Sequence, residues 1–426
     1  MIKTKLILVD GIIGSGKSTT AQYLARQMKK NRIKTKWHFE VEKDHPLLQI
    51  EKNKDESDED HSKRVLVEYP QKWIDFVNKI KDDEYIYIVE SYLLQNVLMY
   101  PHFLNDLDRQ TIKEYSHKLF EISRCLNPVL IHLYQRDVNK SLRLTWLRRS
   151  EEWKLKLIRE NEQTPYCKNR NLKDEVGIIQ LWQDFSNFTL DLFKEYNYRK
   201  LQIENSEQDW INYRKRILTF LDLENFEEKL FFSSFRNFCA HYLCKSTVIH
   251  IHEENDRLCI DSSWLNLKLF LIPVLENEFE IEGYPTAVKF HICENTGKIL
   301  LNITENRDLG AFMDGNEAVE YAPYVLCENK LRQFCGEYWC KADKLERKLY
   351  VRDGKLYYWR DDTSESQLDP ITDTQFMMIN HGDNRIDFKL VDGKWQFTFD
   401  VKGEKPTHSL FLRKEENTEK EKEKTE

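Results

Sequence analysis

A short stretch near the start of the chain has residue types and a spacing that suit the binding of phosphate groups. Residues 11–19 have the sequence GIIGSGKST and match the pattern G-x-x-x-x-G-K-[ST] in full. Glycines let the main chain approach phosphates closely, and its N–H groups can then surround an anion. The predicted nucleotide-binding residues are Gly11, Gly14, Ser15, Gly16, Lys17, Ser18 and Thr19. Lys17 would act as a catalytic point charge between the β- and γ-phosphates, and Ser18 would bind Mg²⁺, so the segment predicts a site for ATP or GTP with Mg²⁺.

The residues around this loop fit the same interpretation. Residues 6–9 form an all-apolar run, as is typical of a buried parallel strand, and a helix is predicted from Lys17 to about Lys30. A helix that begins at the lysine directs the positive end of its dipole at bound phosphates. Asp10 directly precedes the loop and is expected to orient it. This context favours a phosphate-binding loop over a chance match on a surface loop.

Acidic side chains follow two further predicted strands, at residues 34–40 and 85–89. Ligands of open parallel sheets bind beyond the carboxyl ends of the strands, so these side chains are expected beside the γ-phosphate. Glu90 is predicted as a catalytic base or as a Mg²⁺ ligand that acts through water, because a carboxylate there can accept a proton from an attacking hydroxyl or hold the cation through a bound water. The alternative for Glu90 is an ordinary charge at a strand end.

Three residues after the second strand are candidates for contact with a substrate, namely Glu40, Glu42 and His45. For the two glutamates the alternative is pairing with Lys34 and Lys36, which lie close by in the sequence. His45 begins a turn and is expected to be structural or to face a substrate. It is not expected to bind a metal, since no cluster in this region has the spacing of a zinc site.

Basic side chains on the helical stretch after the fourth predicted strand could cover the site. Arg148 and Arg149 are predicted as catalytic residues of a lid, with Arg143 as a weaker candidate. Arginines over a transferred phosphoryl group neutralise its charge, and a closed lid excludes water. The alternative is a solvated basic face paired with Glu151 and Glu152.

Strand and helix signals alternate up to about residue 225, which predicts a parallel sheet with helices on both faces. The remaining strands of this region are predicted at residues 129–134 and 201–203, with helices at 73–80 and 210–221. The acidic run at residues 55–60 is either a solvated loop or the start of a helix. The fold class predicted for residues 1–225 is therefore an α/β P-loop NTPase domain.

The second half of the chain has a different pattern and repeats itself. It is rich in β-branched and aromatic residues, with hairpin signals at residues 296–297, 353–354 and 392–393. Residues 238–245 (FCAHYLCK) match residues 334–341 (FCGEYWCK) at an offset of 96. Two tandem barrel-like β modules are predicted, at residues 226–330 and 331–413, followed by a disordered charged tail at 414–426.

The duplicated segments carry two C-x₄-C pairs. These are Cys239 with Cys244 and Cys335 with Cys340. Four such thiols could bind zinc, but the gap is at the edge of the usual range and the pairs lie in separate modules. Thiols packed in the two cores are therefore the favoured interpretation.

Composition limits the classes of partner. The net charge of −7 argues against broad contact with nucleic acid or a membrane surface, both of which require a basic face. No stretch approaches the roughly 20 apolar residues of a membrane span. The start of the chain leaves no room for a signal peptide, and nine cysteines spread over 426 residues fit a reducing compartment, so a cytoplasmic location is expected.

Residues 8–19 resemble the nucleoside and nucleotide kinase branch of P-loop proteins, including thymidylate kinases and deoxynucleoside kinases. Residues 90–92 (ESY) correspond to their D-R-Y or E-R-S motif, with serine in place of arginine. Residues 39–46, 90–96 and 126–133 are similar to segments of bacterial P-loop ATP-binding proteins described as thymidylate kinase-like, over roughly residues 1–220. The β modules are weakly similar to small lipocalin-like barrels. The resemblance implies a kinase-like fold and, by analogy, kinase activity.

The function expected from these observations is Mg²⁺-dependent transfer of phosphate from ATP or GTP to a small molecule such as a nucleoside or nucleotide. The alternative is a nucleotide-dependent ATPase or switch that signals through the β modules to a protein partner. A third alternative is a protein that binds nucleotide for stability alone. The first two differ in whether labelled phosphate reaches an acceptor.

Overall fold

The computed structural model describes residues 3–42, 44–148, 151–226, 238–244, 247–254, 256–262, 269–294, 299–305, 319–361, 364–378, 384–401 and 407–414. The chain forms two compact units. The first comprises residues 1–233, 257–290 and 302–319, and the second comprises 234–256, 291–301 and 320–426. The predicted domain boundaries at residues 225, 330 and 413 stay predictions. Residues 415–426 of the predicted tail lie outside the described residues, as does the hairpin signal at 296–297.

Five parallel strands form the sheet of the N-terminal region, in the order β2-β3-β1-β4-β5. Their bounds are Leu6–Gly11 (β1), Thr35–His38 (β2), Ile86–Glu90 (β3), Val129–Tyr134 (β4) and Arg199–Glu204 (β5). Every residue of β1 and β3 is buried, because central strands of such a sheet are covered on both faces. The predicted parallel sheet is thus confirmed. The loop after β1 emerges between the carboxyl ends of β3 and β4, which both pair with β1.

Helices cover the two faces of this sheet. They are α1 (Lys17–Lys30), α2 (Asp58–Ile80), α3 (Gln95–Leu98), α4 (Arg109–Ser123), α5 (Val138–Arg148), α6 (Glu151–Glu162), α7 (Pro165–Asn169), α8 (Asp174–Glu195) and α9 (Trp210–Phe220). Side chains that alternate along the strands point into two apolar clusters. Leu6 and Leu8 belong to the cluster that contains Trp73 of α2, and Ile7 and Val9 belong to the other.

Helix α2 begins well before the predicted start at residue 73. Its N-cap is Ser57, whose hydroxyl accepts a hydrogen bond from the Asp60 N–H at 3.1 Å. The acidic residues that follow stabilise the positive end of the helix dipole. Pro70 lies inside the helix and obscured its continuity in the sequence. Of the two alternatives for the acidic run, the start of a helix is therefore the one observed.

The β-rich half of the chain forms two closed eight-stranded barrels, as the predicted fold class requires. The first has the strand order β10-β11-β12-β13-β6-β7-β8-β9, and the second runs in sequence from β14 to β21. The strands of the first are β6 (Ala240–Cys244), β7 (Thr247–Glu254), β8 (Arg257–Ser262), β9 (Leu269–Leu275), β10 (Glu278–Ile281), β11 (Thr286–Ile292), β12 (Ile299–Glu305) and β13 (Val319–Pro323). After a short helix, α10 (Glu328–Arg332), the strands of the second are β14 (Gly336–Cys340), β15 (Leu345–Arg352), β16 (Lys355–Asp361), β17 (Ser364–Pro370), β18 (Gln375–Met378), β19 (Arg385–Val391), β20 (Lys394–Val401) and β21 (Thr407–Arg413).

Two predicted hairpin turns are confirmed in the second barrel. Asp353 and Gly354 join β15 to β16 with positive φ angles of 51° and 69°, and Asp392 and Gly393 join β19 to β20 with 49° and 75°. Aspartate followed by glycine suits such turns because both positions need a left-handed backbone.

Each of the two similar segments, 238–245 and 334–341, contains the same kind of local hydrogen bond. The Tyr242 hydroxyl donates to the Phe238 carbonyl at 2.9 Å, and the Tyr338 hydroxyl donates to the Phe334 carbonyl at 3.0 Å. Two tyrosines that lie 96 residues apart in the sequence thus make the same kind of local hydrogen bond.

The predicted thiol packing is only partly seen. Cys340 is buried, whereas Cys239 and Cys335 are half-buried, and the side chain of Cys244 is not described. Among the described residues, no group of three candidate metal ligands includes any of these cysteines. Within the same ranges, no helix combines the length and apolar character that crossing a bilayer demands.

Candidate functional site

The loop between β1 and α1 is shaped by glycines that no other residue could replace without strain. Gly14 and Gly16 have φ angles of +74° and +96°. A Cβ on Gly14 would lie 2.1 Å from the Thr145 Oγ1, and one on Gly16 would lie 2.7 Å from the Trp210 ring. The loop is therefore enclosed by side chains of α5 and α9, and its glycines are required for space as well as for backbone angle.

The predicted phosphate ligands lie inside this loop. Lys17 opens α1 and is buried, and its Nζ donates to the Ile12 carbonyl at 3.0 Å. The Ser15 hydroxyl is fully buried and has no hydrogen-bond partner in the described part of the chain. A buried polar atom without a partner is unusual in a folded protein. The Ser15 carbonyl accepts a hydrogen bond from Asn205 Nδ2 at 2.8 Å, which ties the loop to the end of β5.

Asp10 fixes the loop to the chain that follows β3, as its position in the sequence suggested. Its Oδ1 accepts hydrogen bonds from the N–H groups of Gly11 (2.9 Å) and Gln95 (3.0 Å), and its Oδ2 accepts from those of Leu93 (3.2 Å) and Leu94 (2.7 Å). Burial raises the pKa of Asp10 to about 6, and the hydrogen bonds and the nearby Lys17 charge oppose that rise. The carboxylate thus aligns the entry to the loop with the start of α3.

Glu90, the predicted base or Mg²⁺ ligand, is fully buried at the end of β3. Its Oε1 accepts a hydrogen bond from the Glu40 N–H at 3.1 Å, and its Oε2 has no partner among the described residues. Burial and then the Glu40 charge raise the pKa of Glu90 to about 8, while the nearby Lys17 and the Ser18 hydroxyl oppose the rise. A carboxyl group with an unused oxygen thus lies near two predicted phosphate-loop ligands.

Glu40 lies beside Glu90 and is held by the residues after β3. Its Oε2 accepts from the Ser91 hydroxyl at 2.9 Å, and its Oε1 accepts from Gln95 Nε2 at 2.9 Å. Ser91 has a φ angle of +67°, a strained value for a residue other than glycine. The alternative of an ion pair with Lys34 or Lys36 is not seen in the described part of the chain, since Lys34 pairs with Glu84 and the Lys36 ammonium lies 4.2 Å from the centroid of the Tyr85 ring. Lys36 belongs to β2 and Lys34 directly precedes it, whereas Glu40 lies in the turn beyond the strand.

The other two substrate candidates have structural partners. Glu42 Oε2 lies 3.0 Å from His38 Nδ1. His45 is buried and stacks on the Tyr92 ring at 3.8 Å between centroids, and its Nδ1 accepts from the Leu47 N–H at 3.0 Å. Burial, followed by the nearby His38, lowers the pKa of His45 to about 2, so the ring is neutral. Contact of Glu42 or His45 with a substrate stays a prediction.

The arginine lid stays a prediction as well. Arg148 ends α5, but its side chain lies outside what is described, and so does the whole of Arg149. Arg143 on the same helix forms an ion pair with Glu175 at 2.7 Å. That pairing favours a structural role for Arg143, in line with its lower rank in the sequence analysis.

These residues fit a magnesium–nucleotide complex. The glycine loop leaves no room for Cβ atoms, and neither the buried Ser15 hydroxyl nor the buried Glu90 Oε2 has a partner in the described ranges. Lys17 is buried in the same loop and its charge acts on Glu90. Oxygen donors such as Ser18 and Glu90 are the ligands that Mg²⁺ prefers. The donor set therefore matches the cofactors that the sequence predicts.

Three residues that contact the loop were not predicted from the sequence. Thr145 packs on Gly14, Trp210 packs on Gly16, and Asn205 holds the Ser15 carbonyl. Asn205 directly follows β5, so the rule that directed attention to the ends of β2 and β3 could have found it. Nothing in the sequence distinguishes Thr145 from other helical threonines.

Solved structures similar to this chain include the YorR protein of Bacillus subtilis in complex with phosphorylated GDP, a thymidylate kinase from Candida albicans and a GTPase from Pyrococcus abyssi in the apo form. The first is 14% identical over 51% of this chain and 95% of its own, with a TM-score of 0.26. The second is 16% identical over 53% and 97%, with a TM-score of 0.26, and the third is 15% identical over 51% and 98%, with a TM-score of 0.19. No protein-family model matches the sequence, and no match is found among curated proteins.

At such low identities and TM-scores, the ligands of these proteins cannot be transferred to this chain. The chain's own topology is more informative, because the five-stranded parallel sheet places the G-x-x-x-x-G-K-S loop between β1 and α1. The N-terminal region therefore has the fold of a nucleotide-binding P-loop NTPase.

Proposed function

We propose that this protein is a Mg²⁺-dependent phosphotransferase that moves phosphate from ATP or GTP to a small molecule such as a nucleoside or nucleotide. The observation that carries the proposal is the buried Glu90 carboxyl group at the end of β3, where Lys17 and Ser18 lie nearby and one carboxyl oxygen has no partner among the residues described. With its pKa raised to about 8, most of this carboxyl group is protonated at pH 7, and the ionised fraction, which grows as the pH rises, can take a proton from an attacking hydroxyl.

Each residue of the site has a role in this proposal. The loop N–H groups and Lys17 hold the phosphates, and Ser18 and Glu90 are the candidate ligands of Mg²⁺, which would neutralise phosphate charge when bound. Asp10 keeps the loop aligned with the turn after β3 through its four hydrogen bonds. Arg148 and Arg149 would cover the phosphates and exclude water.

The direct test is transfer of labelled phosphate by the full chain from γ-labelled ATP or GTP to a panel of nucleosides and nucleotides. The wild type and Glu84→Gln, a surface change, should label an acceptor. Glu90→Gln should lower the rate by at least about a hundredfold, within the usual contribution of a general base. Transfer at the wild-type rate by Glu90→Gln would refute the assigned role. Binding of nucleotide without transfer to any acceptor would leave the phosphotransferase proposal without support.

The lid has its own matched comparison. Arg148→Ala combined with Arg149→Ala should lower kcat and raise the share of phosphate released to water, because a lid protects the transferred group. Arg143→Ala is the control, since Arg143 is already paired with Glu175. Equal effects of the two changes would assign all three arginines to a basic surface.

A second candidate is a nucleotide-dependent switch that signals through the β modules to a protein partner. The observation in its favour is that the amide of Gln22 on α1 bonds to the turn between β10 and β11 of the first barrel. Slow release of phosphate without an acceptor, together with a partner that binds only in one nucleotide state, would favour the switch. Label on a small acceptor would favour the kinase.

A further inference from the structure

The turn between β10 and β11 is fastened to α1 by one side chain. Gln22 is almost completely buried, and its Nε2 donates to the carbonyls of Ile281 (2.9 Å) and Tyr284 (3.0 Å). Its Oε1 accepts from the Gly283 N–H at 2.7 Å. One amide thus makes three hydrogen bonds to the main chain of a four-residue turn. Helix and turn belong to the same compact unit of the chain.

The same turn lies against the residues predicted to bind the nucleotide. A Cβ on Gly283 would be 3.6 Å from Thr19 Oγ1 and 3.7 Å from Ser18 Cβ, which is ordinary contact distance. Gly283 has a φ angle of +78°, so the turn depends on a glycine at this position. The tip of the hairpin therefore meets the first turn of α1, where the Mg²⁺ ligand Ser18 is expected.

Two further contacts hold the hairpin on either side of Gln22. Arg26, one helical turn further along α1, forms an ion pair with Glu280 at 3.0 Å, in which both side chains are largely shielded from water. The Tyr284 ring lies 5.6 Å from the Phe39 ring, between centroids, at the end of β2. The hairpin is thus anchored both to α1 and to the strand that leads to Glu40.

We propose that Gln22 is a positioning residue that holds the β10–β11 turn against the phosphate loop, so that nucleotide binding and the order of this turn depend on each other. The inference rests on the proposed nucleotide site and adds to it a contribution from the first barrel. The turn fixes the start of α1, which carries Lys17 and Ser18, before a nucleotide arrives. By thermodynamic linkage, a nucleotide that favours the fixed helix start also favours the docked turn.

The chain contains a matched control on the same helix. Gln27 is also buried, and its amide makes two comparable hydrogen bonds to Phe226, with Nε2 to the carbonyl at 2.9 Å and the N–H to Oε1 at 3.0 Å. It bonds to a different segment and lies further from the phosphate loop. Methionine has a similar length to glutamine and is a good helix former, so both substitutions keep the helix and most of the packing.

The experiment measures the affinity of MgATP and MgGTP for the full-length wild type, Gln22→Met and Gln27→Met by calorimetry, with thermal unfolding recorded for each. Gln22→Met should weaken binding at least about tenfold, whereas Gln27→Met should stay within about twofold, even if both lower the unfolding temperature equally. Equal affinities for the two variants would overturn the inference. No binding by the wild type would instead refute the proposed function, so the two failures are distinguishable.

Hydrogen exchange on the wild type provides a measurement that needs no variant. Saturating MgATP or MgGTP should slow exchange of the Gly283 N–H, which donates a hydrogen bond to Gln22 Oε1. The exchange rates of amides in the β15–β16 hairpin should stay the same. If the nucleotide binds and the Gly283 N–H exchanges as before, the coupling does not exist.

Discussion

The main-chain N–H of Glu40 donates to Oε1 of Glu90 at 3.1 Å, so the turn after β2 and the end of β3 are joined at the predicted metal ligand. Within the residues that the structure describes, the other oxygen of Glu90 has no hydrogen-bond partner. Burial and the neighbouring Glu40 charge disfavour its ionised form. The arrangement places a carboxyl group where a cation could bind. Without a bound cation, ionisation of this group lowers the stability of the folded protein.

The free energy of unfolding should therefore depend on pH. Because the pKa of Glu90 is raised from 4.5 to about 8, its contribution to stability is fully present below pH 4.5 and is lost as the pH rises towards 8. Glu90→Gln cannot ionise. Its unfolding free energy relative to the wild type should therefore increase across this range, by at most about 1.4 kcal/mol per pH unit, in urea titrations without Mg²⁺ or nucleotide.

Glu84→Gln serves as the control for this titration, because Glu84 is an exposed partner of Lys34. The difference between Glu90→Gln and the wild type should grow more steeply with pH than the difference between Glu84→Gln and the wild type. A difference between Glu90→Gln and the wild type that grows no more steeply would show that Glu90 ionises normally in the folded protein.

Lys17→Met should abolish most nucleotide binding, with a loss of at least about a hundredfold in the affinity measured by calorimetry with Mg²⁺ present. The ammonium group is buried beside the loop, where it donates to the Ile12 carbonyl, and the proposal assigns it to the phosphates, whereas methionine keeps most of the apolar stem. Lys30→Met, at the exposed end of the same helix, should bind as the wild type does. Retained affinity in Lys17→Met would contradict the assignment of the loop.

Gly14→Ala should prevent nucleotide binding because the new Cβ would overlap the Thr145 hydroxyl at 2.1 Å. Thr145→Ala removes that oxygen and leaves the Thr145 Cβ at 3.4 Å, so the double variant should recover part of the affinity. Recovery stays incomplete, since alanine at a φ of +74° costs about 1–2 kcal/mol. Calorimetry on both single variants and the double variant measures this coupling, and a double variant no better than Gly14→Ala would show that the clash is not the cause.

Asp10→Asn should lower the unfolding free energy by about 2–4 kcal/mol, as measured in urea. The carboxylate accepts four N–H groups, and an asparagine NH₂ group can accept none of those that face it. Asp222→Asn, which changes an exposed partner of Arg199, is the comparison, with an expected loss below about 1 kcal/mol. Equal losses would mean that the four hydrogen bonds contribute no more than a surface ion pair.

Local sequence patterns were sufficient for the central part of the fold. The bounds of β4 and α1 agree with the predicted residues 129–134 and 17–30, because a long apolar run and a glycine loop leave few alternatives. The positions of Asp10 and Glu90 could also be predicted, since both lie at the carboxyl end of a buried strand.

Contacts between distant parts of the chain could not be predicted in the same way. Gln22 appears in the sequence as one polar residue of a helix, yet its partners are about 260 residues away. Thr145 likewise reaches Gly14 only because α5 packs over the loop. The alternative for Glu40, pairing with Lys34 or Lys36, is not seen among the described residues, because sequence proximity does not decide which side chains face each other once a strand has ended.

The closure of both barrels limits how a partner could bind them. Each described barrel strand is hydrogen-bonded to a neighbour on both sides, so there is no unpaired strand edge of the kind to which an extended peptide adds as an extra strand. Recognition by these modules would have to use side chains at a barrel mouth or on the outer wall. Substitutions of those side chains, rather than changes in main-chain hydrogen bonding, would then determine which partner binds.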